Sequence, residues 1–183
     1  MPSPENTTFG NIALVGLMGA GKTSVGRLLA KKLQKTFLDC DHEIEKRTGV
    51  SIPVIFEIEG EEGFRRREAA VLRDLIELQN AVVATGGGAV LTPENRDALS
   101  RSAVVVYLKA TVEDLWQRTK HDRNRPLLRT DDPRRRLAEL FEQRDPLYRE
   151  VATLTIDTGN QSVRTLVTRL EHALRSSRPR HPV

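Results

Sequence analysis

The chain has 183 residues, 38% hydrophobic and 30% charged, with 29 Lys and Arg against 25 Asp and Glu for a net charge of +4. That length suits one domain, residues 1–183, able to bury about 70% of its unfolded surface, and no apolar run approaches the eighteen or so residues of a membrane span. Cys40 is the only cysteine, which excludes an intramolecular disulfide and suits a reducing cytoplasm.

In chain order, residues 1–10 lack the basic start and apolar core of a secretory signal and read as a short disordered lead. Ile12-Ala13-Leu14-Val15 reads as a buried strand running into Gly16-Leu-Met-Gly-Ala-Gly-Lys22-Thr23, which fits the phosphate-binding pattern G-x-x-x-x-G-K-[ST] at every fixed position. Val25, Leu28, Leu29 and Leu33 then recur at helical spacing, to about Lys35. Glycines at 16, 19 and 21 let backbone N–H groups turn inward around a phosphate chain at the positive end of that helix. Lys22 would reach the β- and γ-phosphates and the Thr23 hydroxyl would ligate Mg²⁺. The pattern predicts a nucleoside-triphosphate site.

Thr36 to Asp39 reads as a second strand, and a helix follows to Gly49 with Asp41 placed as its N-cap. Asp39 and Asp41 sit two apart at a strand end, so both carboxylates face one side in extended chain. One could serve the Mg²⁺ shell while the other accepts a hydroxyl's hydrogen bond. Ser51-Ile52-Pro53 opens a short helix closed by Gly60, and another runs from Glu61 to Gln79. Ala81 to Thr85 is a buried strand entering Gly86-Gly87-Gly88, where backbone can approach a ligand unobstructed. Thr92-Pro93 caps a helix to about Arg101. Ala103 to Leu108 is the most continuous strand, and Thr111 opens a helix to about Lys120.

His121 to Asp132 is irregular and rich in Arg and Asp. Asp132-Pro133 caps a helix through Leu137, Leu140 and Phe141; Thr153 to Asp157 is the fifth strand, Ser162 to Leu174 the last helix, and residues 175–183 a mobile tail. Nine of the 29 basic residues lie between Arg118 and Arg144. With aromatics at 4% and no stacking pattern, small phosphorylated or carboxylated ligands explain that cluster better than nucleic acid. Strands alternating with helices predict a parallel sheet covered on both faces. Two segments, about 41–68 and 119–132, interrupt the alternation on the ligand-binding side, as a substrate clamp and a closing lid would.

A GTP-dependent switch is disfavoured, because Thr119-Lys120-His121-Asp122 ends a helix instead of following a strand, and no Asp-x-x-Gly follows the third strand. The ordered motifs Gly16 to Thr23, Asp39-Cys40-Asp41, Gly63-Phe64-Arg65, Gly86-Gly87-Gly88, Arg125-Pro126-Leu127-Leu128 and Arg144-Asp145-Pro146-Leu147-Tyr148 resemble the shikimate kinase family over about residues 11–174. The resemblance implies an α/β P-loop kinase fold, a five-stranded parallel sheet ordered 2-3-1-4-5 with helices on both sides. It implies transfer of the γ-phosphoryl group of ATP to the 3-hydroxyl of shikimate, with Mg²⁺, by a cytoplasmic monomer without nucleic-acid or membrane partners. It further implies that Gly19, Ala20, Gly21, Lys22, Thr23, Ser24, Arg118 and Arg125 hold ATP, with Arg118 on adenine and Arg125 as the lid arginine. Asp41, Arg65, Gly87 and Arg144 would hold shikimate, the two arginines gripping its carboxylate. Lys22, Asp41 and Arg125 would be catalytic, and Thr23 and Asp39 would serve the metal, Asp39 through water. In isolation Arg65 reads as one of three arginines on a solvated helix face, and Arg144 as a surface arginine. His42 and His121 read as exposed polar residues and Trp116 as core. A kinase of another small polyol, such as gluconate, is the alternative; it would lack the paired arginines.

Overall fold

The computed structural model describes residues 10–177. Its elements in order are β1 (Asn11–Val15), α1 (Lys22–Leu33), β2 (Thr36–Asp39), α2 (Cys40–Thr48), α3 (Ile52–Glu77), β3 (Ala81–Ala84), α4 (Pro93–Ser102), β4 (Ala103–Lys109), α5 (Val112–Thr119), α6 (Pro133–Val151), β5 (Leu154–Asp157) and α7 (Val163–Ser176). The five strands form one sheet in the order β2-β3-β1-β4-β5, and all the pairings are parallel. This is the order expected from the resemblance.

Continuous apolar runs make the central strands. Ile12 to Val15 of β1 and Ala81 to Ala84 of β3 are fully buried, as strands covered by helices on both faces must be. In register, Ile12 lies between Val82 and Val104, and Leu14 between Ala84 and Val106. Asn11 is the buried polar exception. Its side-chain amide donates to the carbonyls of Ile76, at 2.8 Å, and of Leu78, while its Oδ1 accepts from Ala81 N–H at 3.1 Å. One satisfied amide thus ties the end of α3 to the start of β3.

Several boundaries differ from the sequence expectation by a residue or two. Helix α1 ends at Leu33, because Gln34 takes a left-handed conformation (φ 54°) and closes the helix. Helix α2 is capped by Asp39, not Asp41: Asp39 Oδ1 accepts from the N–H groups of Asp41 (3.0 Å) and His42 (3.2 Å). A strand's last residue is already extended, which is the conformation an N-cap needs. At the C-terminus Arg175 and Ser176 belong to α7, so the tail does not begin at 175; residues 178–183 and the lead at 1–9 lie outside the described residues. The predicted break at Gly60 is present inside α3, where Gly60 adopts φ 69° and ψ −177°. Thr111, Asp132 and Ser162 cap α5, α6 and α7 through their side chains, whereas the Thr92 hydroxyl makes no cap bond at α4. Among the described residues no helix is long and apolar enough to cross a membrane.

Candidate active site

The loops after β1, β2 and β3 emerge side by side at the carboxyl edge of the sheet, and α3, α6 and the 120–132 segment rise around them. They enclose a cleft of about 300 Å³ that contains Lys22, Asp41, Arg65, Gly87, Arg125 and Arg144 together with Gly19, Gly21, Thr23, Ser24 and Asp39. Ala20, within the loop between β1 and α1, is buried. Arg118 does not line the cleft. Its guanidinium donates to the carbonyls of Gly19 and Gly159, both at 3.1 Å, and so pins the β1–α1 loop to the loop after β5. His42 and His121 are exposed and Trp116 packs against the core, as expected.

The β1–α1 loop carries Gly16 at φ 149°, where an added Cβ would lie 2.6 Å from the Leu108 carbonyl oxygen, so no larger residue fits. Lys22, the first residue of α1, folds back and donates to the carbonyls of Gly16 (2.6 Å) and Leu17 (3.0 Å). Burial lowers its pKa to about 8, although Asp41 and Asp39 favour the charged form. Thr23 donates its hydroxyl to Asp39 Oδ2 at 2.8 Å. The hard oxygens of Thr23 and Asp39 are therefore adjacent, a donor type that suits Mg²⁺.

Because Asp39 does the capping, the Asp41 carboxylate is free of that task. Its Oδ1 is enclosed and has no hydrogen-bond partner. Burial, then the neighbouring Glu68 and Asp39, push its pKa up to about 6, against the pull of Lys22 and Arg125. A carboxylate of this kind in a cleft is suited to accept a proton near neutral pH.

The two arginines arrive from distant helices. Arg65 keeps 16% of its side chain exposed, against 68% for Arg66 and 45% for Arg67, so only the first of the three turns inward. It donates to Glu68 Oε2 at 2.7 Å and to Glu61 at 3.1 Å. Arg144 is 2% exposed, which corrects its reading as a surface residue. It occupies a core position in the α6 stripe Leu137, Leu140, Arg144, Tyr148, Val151. Among the described residues it has no carboxylate in ion-pair distance, and its Nε has no hydrogen-bond partner. Burial lowers its pKa accordingly. A buried cation without a counter-ion is costly unless an anion completes it.

The triple glycine is explained by space. An added Cβ would lie 2.2 Å from Glu68 Oε1 at Gly86 and 2.2 Å from Arg65 Nη1 at Gly88. At Gly87 the same Cβ would meet only ordinary contacts, among them Arg144 Nη1 at 3.6 Å. The outer glycines make room for the side chains that line the cleft, and the middle one lies beside Arg144.

Glu68 was not singled out in the sequence. It is 1% exposed, burial raises its pKa, and its Oε1 has no partner. Its signal was the i,i+3 spacing from Arg65, which looks the same for a solvated helix pair. Ile52, Phe56 and Phe64 form an apolar wall of the cleft, with Phe56 and Phe64 rings 4.8 Å apart. Phosphate loop, paired arginines, buried carboxylate and apolar wall together describe a pocket for a nucleotide and a small, partly apolar carboxylate.

A sequence model described as shikimate kinase matches residues 18–175. The shikimate kinase of Nitrosospira multiformis is 61% identical over 170 residues, 93% of this chain and 87% of that protein. The shikimate kinase of Chromobacterium violaceum is 56% identical over 182 residues, 100% of this chain and 98% of that protein. The solved shikimate kinase from Acinetobacter baumannii in complex with shikimate superimposes with a TM-score of 0.92 at 51% identity, covering 93% of this chain and 96% of that one. With such a match along nearly its whole length, and with the cleft that the fold assembles, the chain belongs to the shikimate kinase family.

Proposed function

We propose that this protein transfers the γ-phosphoryl group of ATP to the 3-hydroxyl of shikimate, in one kinase domain. The observation that carries the reading is the meeting of Arg65 and Arg144, from helices far apart in sequence, beside Asp41 and Lys22 in one cleft. A forked guanidinium pair matches a planar carboxylate, and the adjoining wall of Ile52, Phe56 and Phe64 suits a compact ring acid better than the open, fully hydroxylated chain of gluconate.

In this reading the β1–α1 loop from Gly19 to Ser24 holds the triphosphate, and Lys22 leaves the Gly16 and Leu17 carbonyls for the phosphate oxygens. Asp41 accepts the proton of the attacking hydroxyl, Gly87 and the two arginines hold the acceptor, and Arg125 comes down with the 119–132 lid onto the transferring group. The segment 41–68 is the acceptor clamp. Arg118, held at the Gly19 carbonyl beside the phosphate loop, would pack on the nucleotide base. Thr23 and Asp39 would hold Mg²⁺, Asp39 through water as the family resemblance implies. When bound, the ion would offset charge on the β- and γ-phosphates. The working form in this reading is a cytoplasmic monomer, and the lone buried Cys40 thiol suits that compartment.

A coupled assay of ADP release tests the reading: release should depend on shikimate and not be supported by gluconate. Shikimate-independent release, or equal release with gluconate, would overturn it.

A further inference from the structure

The motif Arg144-Asp145-Pro146-Leu147-Tyr148 contains a residue that the proposed chemistry does not use. Tyr148 lies one helical turn after Arg144 and is fully buried. Its hydroxyl donates to the carbonyl of Gly87 and lies against the Arg144 guanidinium. Its ring is held from behind by Tyr107, with centroids 5.0 Å apart, and Tyr107 in turn donates to Asp145 Oδ1 at 2.7 Å. Ring and hydroxyl are therefore both fixed.

The Gly87–Gly88 peptide is where this matters. In a planar trans peptide the C=O and the following N–H point in opposite directions. Holding the Gly87 carbonyl on Tyr148 thus directs the Gly88 N–H away from α6. Among the described residues neither the Gly87 nor the Gly88 N–H has an acceptor, whereas Ala89 and Leu91 N–H bond back to Gly86 and Gly88. Two glycines without side chains could rotate this peptide freely, and the hydroxyl is the contact that stops it. The same hydroxyl sets the spacing between the loop and Arg144.

We propose that Tyr148 is a positioning residue for the acceptor: its hydroxyl orients the Gly87–Gly88 peptide and holds Arg144 in register with it. The inference rests on the functional reading above, because it needs an acceptor seated between the glycine loop and Arg144. Tyr148 itself touches no reacting atom in this scheme.

The test is Tyr148→Phe, which keeps the ring against Tyr107 and removes only the oxygen. The Michaelis constant for shikimate should rise about tenfold, the loss of one buried hydrogen bond, with turnover and the constant for ATP within about threefold of the parent. Tyr107→Phe is the control, since it removes the other hydroxyl of the ring pair and leaves Gly87 untouched; its constant for shikimate should not move. An unchanged constant in Tyr148→Phe, a parallel rise for ATP, or an equal rise in Tyr107→Phe would overturn the proposal. If Tyr148→Phe is too unstable for kinetics, ligand-induced shifts in melting temperature decide it. The shift with shikimate should shrink while that with ATP persists, and two intact shifts overturn the proposal. A parent enzyme without shikimate-dependent ADP release would instead sink the functional reading, independently of Tyr148.

Discussion

On the α3 and α6 side of the cleft Arg65 and Arg144 are enclosed by helices, glycines and aromatic rings, whereas on the lid side Arg125 keeps 37% of its side chain exposed and is tied to Asp122, three residues before it, at 2.8 Å. The first arrangement costs stability, since burying a guanidinium must be offset by the fold. The second costs little and is easily exchanged, as an exposed local ion pair is worth at most about 1 kcal/mol. In the proposed reading this gives an acceptor side whose charges are already enclosed and a donor side that is exchangeable, with Arg125 free to leave Asp122 for a phosphate.

The comparison breaks most visibly at Lys22. Lys22→Ala should lower turnover by about 10³-fold or more, since it removes charge stabilisation in the transition state. Its melting temperature should not fall, because burial already disfavours the charged amine, whose pKa is held near 8. Turnover close to that of the parent would remove the phosphate-loop assignment.

Arg125→Ala should lower turnover by about 10²- to 10³-fold and change the Michaelis constant for shikimate little, as a group acting after closure would. Steady-state kinetics read both, and a rise confined to the shikimate constant would place Arg125 on the acceptor side.

Asp41→Asn should lower turnover by about 10²-fold or more. It should also raise the melting temperature at pH 7. The carboxyl's pKa is near 6 in the folded protein against 3.8 for the free group, so the folded state binds this proton more tightly. Stability is then lost as pH rises from about 4 to 6, by an amount on the order of 1–3 kcal/mol, and the neutral amide escapes that loss. Thermal melts should show the gain at pH 7 and none at pH 4. In the parent, turnover should fall on the acid side of pH 6.

The mildest pair contrasts the two enclosed arginines. Arg65→Met and Arg144→Met should each raise the shikimate constant about 10- to 100-fold. Their melting temperatures should move in opposite directions. Removing Arg65 leaves Glu68 buried without its partner and costs about 1–3 kcal/mol, whereas removing Arg144 deletes a cation that has no counter-ion and should stabilise the free protein. Two melts and two titrations decide this.

Local spacing made much of this legible. The strand, the glycine loop and the Lys22-Thr23 pair lie within a dozen residues, so the sequence carries both the geometry and the chemistry. The sheet order came from resemblance, since periodicity names strands but not their neighbours. Arg144 was misread as surface because the α6 stripe places a charged residue where only an apolar one is ordinarily expected. Glu68 was passed over for a related reason: its partner is visible in sequence, its burial is not. The cap was placed at Asp41, whereas Asp39 both ends the strand and caps the helix, and two carboxylates two residues apart look alike in sequence.

The break at Gly60 has a bearing on how such a pocket can diversify. Upstream of it, Ile52 and Phe56 line the cleft; downstream, Phe64, Arg65 and Glu68 do. Two contacts bridge the turn: the Phe56 and Phe64 rings lie 4.8 Å apart, and Arg67 donates to both carboxylate oxygens of Glu59. A side chain at Gly60 would find open space but would be strained by the φ of 69°. In the proposed reading, a substitution there would alter the angle between the apolar wall and the arginine anchor while touching neither.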